Sequence, residues 1–265
     1  MEKSWRIAIA QIAVVDGNKA KNLEKIEKSI EQAYNQSADL LVLPELVLTG
    51  LVSGEQMKML AESREGDSFK RLQKKLGTCP VHLVYSFPEY VSENEMYITT
   101  CFIHKNGEPL AYYRKTHLFS EESSVFSRGN ELIEVNVDGY KLGLLTCYDI
   151  EFPEPARTLA SQGAKLLVVN SANMAPYEHI HRLFVTARAL ENQCFVVYCN
   201  RIGSNAVYEY HGQSAVIGPD SSVLMEIEED REMVKTVEIS LGEIENATSV
   251  FNYLRERRPE LYTTG

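Results

Sequence analysis

Residues 141–154 have the sequence KLGLLTCYDIEFPE, in which an apolar run of strand length ends abruptly at Cys147. Polar residues and Pro153 follow, and then a segment with helical character. In an α/β protein, a cysteine between a buried strand and a helix start can be held out of the core as a nucleophile. A single cysteine is weak support, because free cysteines are usually buried packing residues. The functional interpretation therefore depends on the rest of the chain.

Two other predicted strands also end in a reactive side chain. The apolar run 39–43 leads through a proline to Glu45, and the run 109–114 leads to Lys115. In open α/β sheets, ligands bind just beyond the carboxyl ends of the strands. Taken singly, each residue has a purely structural explanation. Glu45 could be a helix cap or a salt-bridge partner, Lys115 an exposed strand end, and Cys147 a core packing residue. Their shared context predicts instead that the three side chains converge on one pocket.

Strands and helices alternate along the chain, and the Asn-Gly pair at 106–107 and the Asp-Gly pair at 138–139 favour hairpin turns. This pattern predicts a single α/β (α+β layered) domain over residues 1–265, built on a mixed sheet. Residues 251–265 are expected to form a C-terminal tail that docks on another part of the chain or on a partner subunit. The predicted strands are 5–12, 39–45, 81–87, 96–104, 109–114, 131–137, 140–146, 166–170, 195–200, 206–217, 222–227 and 232–239, and the predicted helices are 18–36, 53–62, 67–76, 153–162 and 178–193.

The composition limits the possible classes of function. The 265 residues include 27 Lys and Arg against 37 Asp and Glu, a formal net charge of −10. This charge argues against a nucleic-acid partner and against a polybasic membrane surface, and no apolar run is long enough to span a membrane. The five cysteines contain no CxxC pair, which favours a reducing compartment and offers no zinc motif. We therefore expect a cytoplasmic protein.

Glutamate, lysine and cysteine together are sufficient for acyl transfer. The Cys147 thiolate would attack a carbonyl carbon, and a nearby ammonium would help to form that thiolate. Glu45 can pass the thiol proton to the leaving nitrogen and then activate water to hydrolyse the thioester. Lys115 can stabilise the negatively charged oxygen of the tetrahedral intermediate, with the Tyr148 backbone N–H as a second donor.

Three blocks of the sequence resemble the signatures of the nitrilase superfamily of carbon–nitrogen hydrolases. They are LPE at 43–45, YRKTHLF at 113–119 and CYDIEFPE at 147–154. Their order and spacing fit that superfamily, and the similarity continues through residues 188–192 and 200–203. Because three blocks occur in order, the resemblance is far more specific than any one of them.

The resemblance implies a four-layer α-β-β-α sandwich that forms a homodimer or higher homo-oligomer. It also implies a catalytic triad of Glu45, Lys115 and Cys147, with no metal ion and no organic cofactor. Members of the superfamily commonly have a second, assisting glutamate in the loop after the lysine block. Glu121 and Glu122 both lie there, and the distance to the following residues favours Glu122, which would hydrogen-bond Lys115 and orient the substrate.

The residues after the cysteine favour an amidase. Superfamily members that hydrolyse nitriles usually have Trp-Glu at this point, whereas this chain has Tyr148 and Asp149. The expected reaction is the hydrolysis of a small carboxamide to a carboxylate and ammonia through a thioester. The alternatives are an N-carbamoyl hydrolase or a nitrilase that uses the same nucleophile, and a catalytically silent scaffold with the same fold.

Four residues are predicted to bind the substrate, and Glu151 is the most informative. Related amidases that act on acidic substrates often have arginine at this position, so we expect a pocket that tolerates neutral or amine-bearing amides. An ion pair with Arg157 or Arg182 is the structural alternative. Asn173 and Met174 follow a predicted strand and are expected to line the pocket together with Tyr148.

The histidines give no clear catalytic or metal site. His179 and His181 lie two positions apart on a predicted helix, so they point to different faces and make a poor metal pair. His117 lies in the lysine block and is expected to order that loop.

Overall fold

The computed structural model describes residues 4–228 and 230–262. Within these residues the chain forms six α-helices, two six-stranded sheets and a two-stranded ribbon. None of the helices described there is both long and apolar enough to cross a membrane. The helices are α1 (Lys19–Asn35), α2 (Gly54–Leu60), α3 (Asp67–Leu76), α4 (Pro153–Ser161), α5 (Glu178–Asn192) and α6 (Leu241–Val250). The strands are β1 (Ser4–Gln11), β2 (Leu40–Val42), β3 (His82–Ser92), β4 (Glu95–Ile103), β5 (Pro109–Arg114), β6 (Glu134–Val137), β7 (Tyr140–Thr146), β8 (Leu166–Ser171), β9 (Phe195–Asn200), β10 (Ile202–Ser204), β11 (Glu209–His211), β12 (Ala215–Ile217), β13 (Val223–Glu226) and β14 (Met233–Ser240).

The two large sheets have the same arrangement of strand directions. Their orders are β14-β1-β2-β3-β4-β5 and β6-β7-β8-β9-β12-β13. In each sheet three neighbouring strands are parallel, β1 to β3 in the first and β7 to β9 in the second, and the flanking strands pair antiparallel. The predicted hairpins β4–β5 and β6–β7 are both present.

The layers follow from the alternation of side chains along each strand. On β1, Ile7 and Ile9 lie in the core between the two sheets, whereas Ala8 and Ala10 lie in the core under α1 and α3. A third core joins the second sheet to α4 and α5. The predicted four-layer α-β-β-α sandwich is therefore confirmed.

Gly143 allows α4 to pack closely on β7. A Cβ atom at this position would lie 2.8 Å from Leu159 Cδ1 and 3.0 Å from Leu167 Cδ2. Because Cys147 directly follows β7, this close contact also positions the cysteine turn relative to α4.

The C-terminal third differs from the predicted strand meander. Residues 206–217 form two short strands instead of one, because Gly212 and Gln213 between them have positive φ values of 65° and 56°. A Cβ atom at Gly212 would lie 2.3 Å from Gln11 Cδ. Strand β14 does not continue the second sheet; it pairs with β1 of the first sheet along its full length.

Helix α6 was not predicted, although its start has a recognisable signal. Ser240 Oγ accepts a hydrogen bond from the Gly242 N–H at 3.3 Å, and Glu243 Oε1 accepts one from the Ser240 N–H at 3.2 Å. This is a capping box, which the sequence shows as Ser-x-x-Glu. This signal was overlooked because the helix start directly follows the strand pattern of β14.

The tail after α6 rests on its own chain. Gln193 Oε1 accepts a hydrogen bond from the Tyr253 N–H at 2.9 Å, and Gln193 Nε2 donates to the Phe251 carbonyl at 2.6 Å. Docking of the tail on a partner subunit stays a prediction, and its residues 263–265 lie outside the described part of the chain.

We expect Gly143→Ala to lower the free energy of unfolding by about 1–3 kcal/mol, because the new methyl group overpacks the contact with Leu159. Denaturant unfolding followed by circular dichroism would measure this loss. Gly77→Ala is the control, since φ at Gly77 is −63° and any residue adopts it. This control is expected to change the free energy by no more than about 1 kcal/mol. Equal effects at the two positions would contradict the packing argument.

Candidate active site

Cys147 lies at a sharp turn between a strand and a helix. It follows β7 directly and is the first residue of a short 3-10 helix, Cys147–Glu151. Its φ is +48°, a left-handed conformation that is uncommon for residues other than glycine. Such strain is often found at functional sites, where the surrounding structure maintains it. The turn exposes 8% of the residue, and the Ser171 hydroxyl lies 3.6 Å from Sγ.

Asp149 connects this turn to the lysine block. Its fully buried carboxylate accepts hydrogen bonds from the Thr146 N–H (2.9 Å) and the His117 N–H (2.9 Å). It also accepts from the Tyr113 hydroxyl at 2.7 Å and the Thr116 hydroxyl at 2.9 Å. The cysteine turn and the end of β5 are therefore held by one side chain, and the His117 ring also contacts it, with Nδ1 2.9 Å from Asp149 Oδ1.

Glu45, Lys115 and Glu122 form a buried charge cluster. Lys115 Nζ donates to Glu45 Oε1 at 2.8 Å and contacts both oxygens of Glu122 at 2.9 and 2.8 Å. Burial alone would lower the pKa of Lys115, but the negative charges of the two glutamates raise it well above its usual value. The lysine is therefore an ammonium group held between two carboxylates.

The main chain of the second sheet holds Glu45 in place. The Glu45 N–H donates to the Ser171 carbonyl at 3.2 Å, and Glu45 Oε2 accepts from the Ala172 N–H at 3.1 Å. Nearby, Asn170 Nδ2 donates to the Leu43 carbonyl. The carboxyl ends of β2 and β8 thus meet across the two sheets, and this contact brings Glu45 to the cysteine side.

The surroundings of Cys147 favour the thiol over the thiolate. Burial, followed by the charge of Glu45, raises the pKa of the thiol, and the Lys115 ammonium only partly opposes this shift. We expected the ammonium to help form a thiolate; in the folded chain its effect is outweighed. A thiol in such surroundings can act as a nucleophile when an adjacent base accepts its proton, and Glu45 is a carboxylate on the same cavity wall. Burial also raises the pKa of Glu122, and Glu45 adds to this shift while Lys115 opposes it.

A cavity of about 240 Å³ opens beside the cysteine. It borders on a larger cavity of about 710 Å³, with which it shares Leu51, Phe119, Glu122 and Met174. The four predicted substrate-binding residues all lie on the wall of the smaller cavity. Its lining consists of Glu45, Leu51, Phe119, Glu122, Cys147, Tyr148, Glu151, Ala172, Asn173, Met174, Tyr177, Ile180 and His181.

The structure rules out the ion pairs considered for Glu151. Arg157 contacts Glu191 at 3.5 Å, and Arg182 contacts Glu226 at 3.1 Å. Glu151 Oε1 lies instead 3.3 Å from Nε2 of a histidine, His181.

Sequence reasoning missed His181 as a pocket residue. Its ring is buried, and Nδ1 lies 3.0 Å from the Tyr198 hydroxyl and 3.4 Å from the Ser171 hydroxyl. In the sequence His181 is considered only together with His179, and both residues lie on α5. No local signal indicates which face of α5 meets the end of β8, so this residue could not be assigned to the cavity.

One group elsewhere in the described residues has the composition of a metal site. Ligand atoms of His82, His104 and Asp138 lie within 4.8 Å of one another. However, Nδ1 of each histidine accepts a backbone N–H at 3.2 Å, which leaves the proton on Nε2. Lys105 Nζ also lies 2.9 Å from Asp138 Oδ2. These donors suit a hydrogen-bonded turn and do not suit a cation.

Comparison with known proteins agrees with the site. Residues 6–248 match the carbon-nitrogen hydrolase family. An (R)-stereoselective amidase of a Pseudomonas species is 37% identical, with 96% of this chain and 91% of that protein covered. The 2-oxoglutaramate amidase of Bacillus subtilis is 34% identical, with coverages of 95% and 98%.

A solved structure of similar shape shows a reacted active site. It is a variant of the amidase from Nesterenkonia sp. AN1, described as carrying the acetamide moiety of fluoroacetamide covalently at the active site cysteine. Its TM-score is 0.84 at 29% identity, with 97% of this chain and 95% of that one covered. The chain described here therefore belongs to the carbon–nitrogen hydrolase family, as an amidase-like enzyme of the nitrilase superfamily.

Proposed function

We propose that the protein hydrolyses a small carboxamide to a carboxylate and ammonia through a thioester at Cys147. The observation that carries this proposal is the buried Lys115 ammonium, which contacts Glu45 and Glu122, two carboxylates that line the same cavity as the strained cysteine. The cavity volume of about 240 Å³ suits a small acyl group.

In the acylation half, the Cys147 sulfur attacks the amide carbon while Glu45 takes the thiol proton. A C–S bond forms, and the carbonyl oxygen becomes negatively charged. Lys115 and the backbone N–H of Tyr148, at the start of the 3-10 helix, stabilise this oxygen. When the intermediate collapses, the C–N bond breaks and Glu45 gives its proton to the nitrogen, so that ammonia leaves.

In the deacylation half, Glu45 takes a proton from water, and the resulting hydroxide attacks the thioester carbon. The C–S bond breaks, and the sulfur recovers a proton from Glu45. The product is the carboxylic acid, which ionises at neutral pH. Glu122 holds Lys115 in place in both halves, because its two oxygens are the second carboxylate partner of the ammonium.

An N-carbamoyl hydrolase or a nitrilase would use the same nucleophile. Release of carbon dioxide together with ammonia identifies the first, and formation of an acid from a nitrile identifies the second. We favour the amidase because relatives that cover nearly the whole chain are named amidases. The alternative that is not an enzyme is a catalytically silent scaffold with the same fold. The presence of Glu45, Lys115, Glu122 and Cys147 side by side argues against it.

We also propose that the enzyme is cytoplasmic and forms a homodimer or higher homo-oligomer. All five cysteines are free, as a thiol-dependent enzyme requires. Apolar tail residues such as Phe251 and Leu261, 59% and 63% exposed, suit contact with a second copy. Light scattering of the full chain should give at least twice the mass of one chain, and a monomer at micromolar concentration would contradict the proposal.

Cys147→Ala is expected to lower ammonia release from simple amides by about 10⁴-fold or more, because no other group can form the thioester. Circular dichroism should show an unchanged fold. Cys79→Ala is the matched control, since Cys79 has the same 8% exposure but lies outside the cavity. Full activity of Cys147→Ala would end the proposal.

The raised pKa of Glu122 predicts where kcat/KM falls on the acid side of its pH profile. As the pH falls through this pKa, protonation removes one negative charge beside Lys115, so kcat/KM should fall at a higher pH than for an ordinary glutamate. In Glu122→Gln this limb should move to lower pH, and kcat should drop about 10²-fold because the ammonium is less well positioned. Glu121→Gln, which changes an exposed neighbour, should leave the profile unchanged. An identical acid limb in the Glu122→Gln and wild-type enzymes would refute this role.

A further inference from the structure

One carboxylate of the cavity has no part in the proposed reaction. Glu151 is the last residue of the 3-10 helix that begins at Cys147, and 26% of its side chain is exposed. Among the described residues, His181 is the one side-chain partner of its carboxylate, at 3.3 Å from Oε1. A carboxylate has acceptor positions on two oxygens. Glu151 therefore retains capacity to bind a donor that enters the cavity.

The histidine orients Glu151 without neutralising it. His181 is 2% exposed, and burial lowers its pKa, although Glu151 opposes the shift. Its Nδ1 faces the hydroxyls of Tyr198 and Ser171, which are able to donate to it. The remaining ring proton then lies on Nε2, where it points to the carboxylate. Such a neutral imidazole holds Glu151 in place, and the negative charge remains.

The charges around the cavity are unequal. Three carboxylates line it, from Glu45, Glu122 and Glu151, and no arginine or lysine is among its described lining residues. The Lys115 ammonium, behind this wall, contacts the first two carboxylates and not the third. The cavity therefore has an excess of negative charge on the side of Glu151. Such a cavity repels a carboxylate on the substrate and attracts a cation.

We propose that Glu151, oriented by His181, binds an ammonium group on the acyl part of the substrate, so that the enzyme prefers amine-bearing amides to ω-amido acids. This inference rests on the proposed amidase function and deepens it. The two ends of the 3-10 helix are about 8 Å apart at a rise of about 2 Å per residue. This separation suits an amine a few bonds from the carbon that Cys147 attacks.

Three amides of similar size test the preference. β-Alaninamide and butyramide differ only by an ammonium in place of a methyl group, and succinamate has a carboxylate instead. We expect wild-type kcat/KM to be about 10- to 100-fold higher for β-alaninamide than for butyramide, mainly through KM, and lowest for succinamate. As the pH rises through the pKa of the substrate amine, this preference should disappear for the wild-type enzyme.

Single substitutions test whether Glu151 and His181 cause the preference for the amine-bearing amide. In Glu151→Gln the ratio of kcat/KM for β-alaninamide and butyramide should fall toward one. Glu154→Gln, an exposed glutamate three residues later, should retain the wild-type ratio and activity. For the positioning residue, His181→Leu should raise KM for β-alaninamide more than for butyramide, and His181→Gln should restore part of the ratio.

The outcomes separate the two proposals. If butyramide is hydrolysed but the wild-type ratio is near one, or succinamate is preferred, the ammonium site is wrong and the amidase function stands. If the preference persists in Glu151→Gln, the assignment to this residue is wrong. If none of the three amides or further simple amides releases ammonia, the amidase proposal itself fails, and the inference fails with it.

Discussion

The active site depends on one buried ammonium group between two carboxylates. Lys115 directly follows β5, Glu45 follows β2, and Glu122 lies in the loop after the lysine, so their contacts connect the carboxyl end of β2 to the end of β5 and to the loop that follows it. Removing one member of a buried ion cluster leaves an uncompensated charge, typically at a cost of about 3–5 kcal/mol. The same interaction that orients Glu45 therefore also stabilises the way in which the strand ends meet.

The sandwich provides rigid supports for this cluster. Glu45 comes from the first sheet, but its N–H and its Oε2 are held by the main chain at the end of β8 in the second sheet. Asp149 makes the complementary connection, since it lies after β7 and binds the end of β5. Sites supported by strand ends are positioned more accurately than sites on free loops. Polar side chains from each sheet are thus held in place by hydrogen bonds to strand ends of the other sheet.

Much of this arrangement could be predicted from the sequence, because its signals are local. Glu45, Lys115 and Cys147 each follow an apolar run, which marks them as residues at the carboxyl ends of strands, where ligands bind in α/β sheets. The pairing of β14 with β1 could not be predicted, since its partner lies more than two hundred residues away along the chain. The size of the desolvation that raises the pKa of Cys147 could not be predicted either, because the degree of burial is a property of the folded chain.

His181 shows why the pocket is harder to predict than the nucleophile. Its role requires the face of α5, the end of β8 and the cysteine helix to meet, and no spacing within one segment records that meeting. The charge of the His181 ring also depends on how deeply the ring is buried. At the surface the imidazole would titrate near neutral pH and, when charged, would neutralise Glu151. Burial lowers the pKa of His181 and so favours the neutral ring, whose Nε2 faces the Glu151 carboxylate. The cavity therefore keeps a negative wall because the histidine is buried. Since Cys147 and Glu151 are the two ends of one short helix, a single turn after β7 places both the cysteine sulfur and the Glu151 carboxylate on the wall of the cavity.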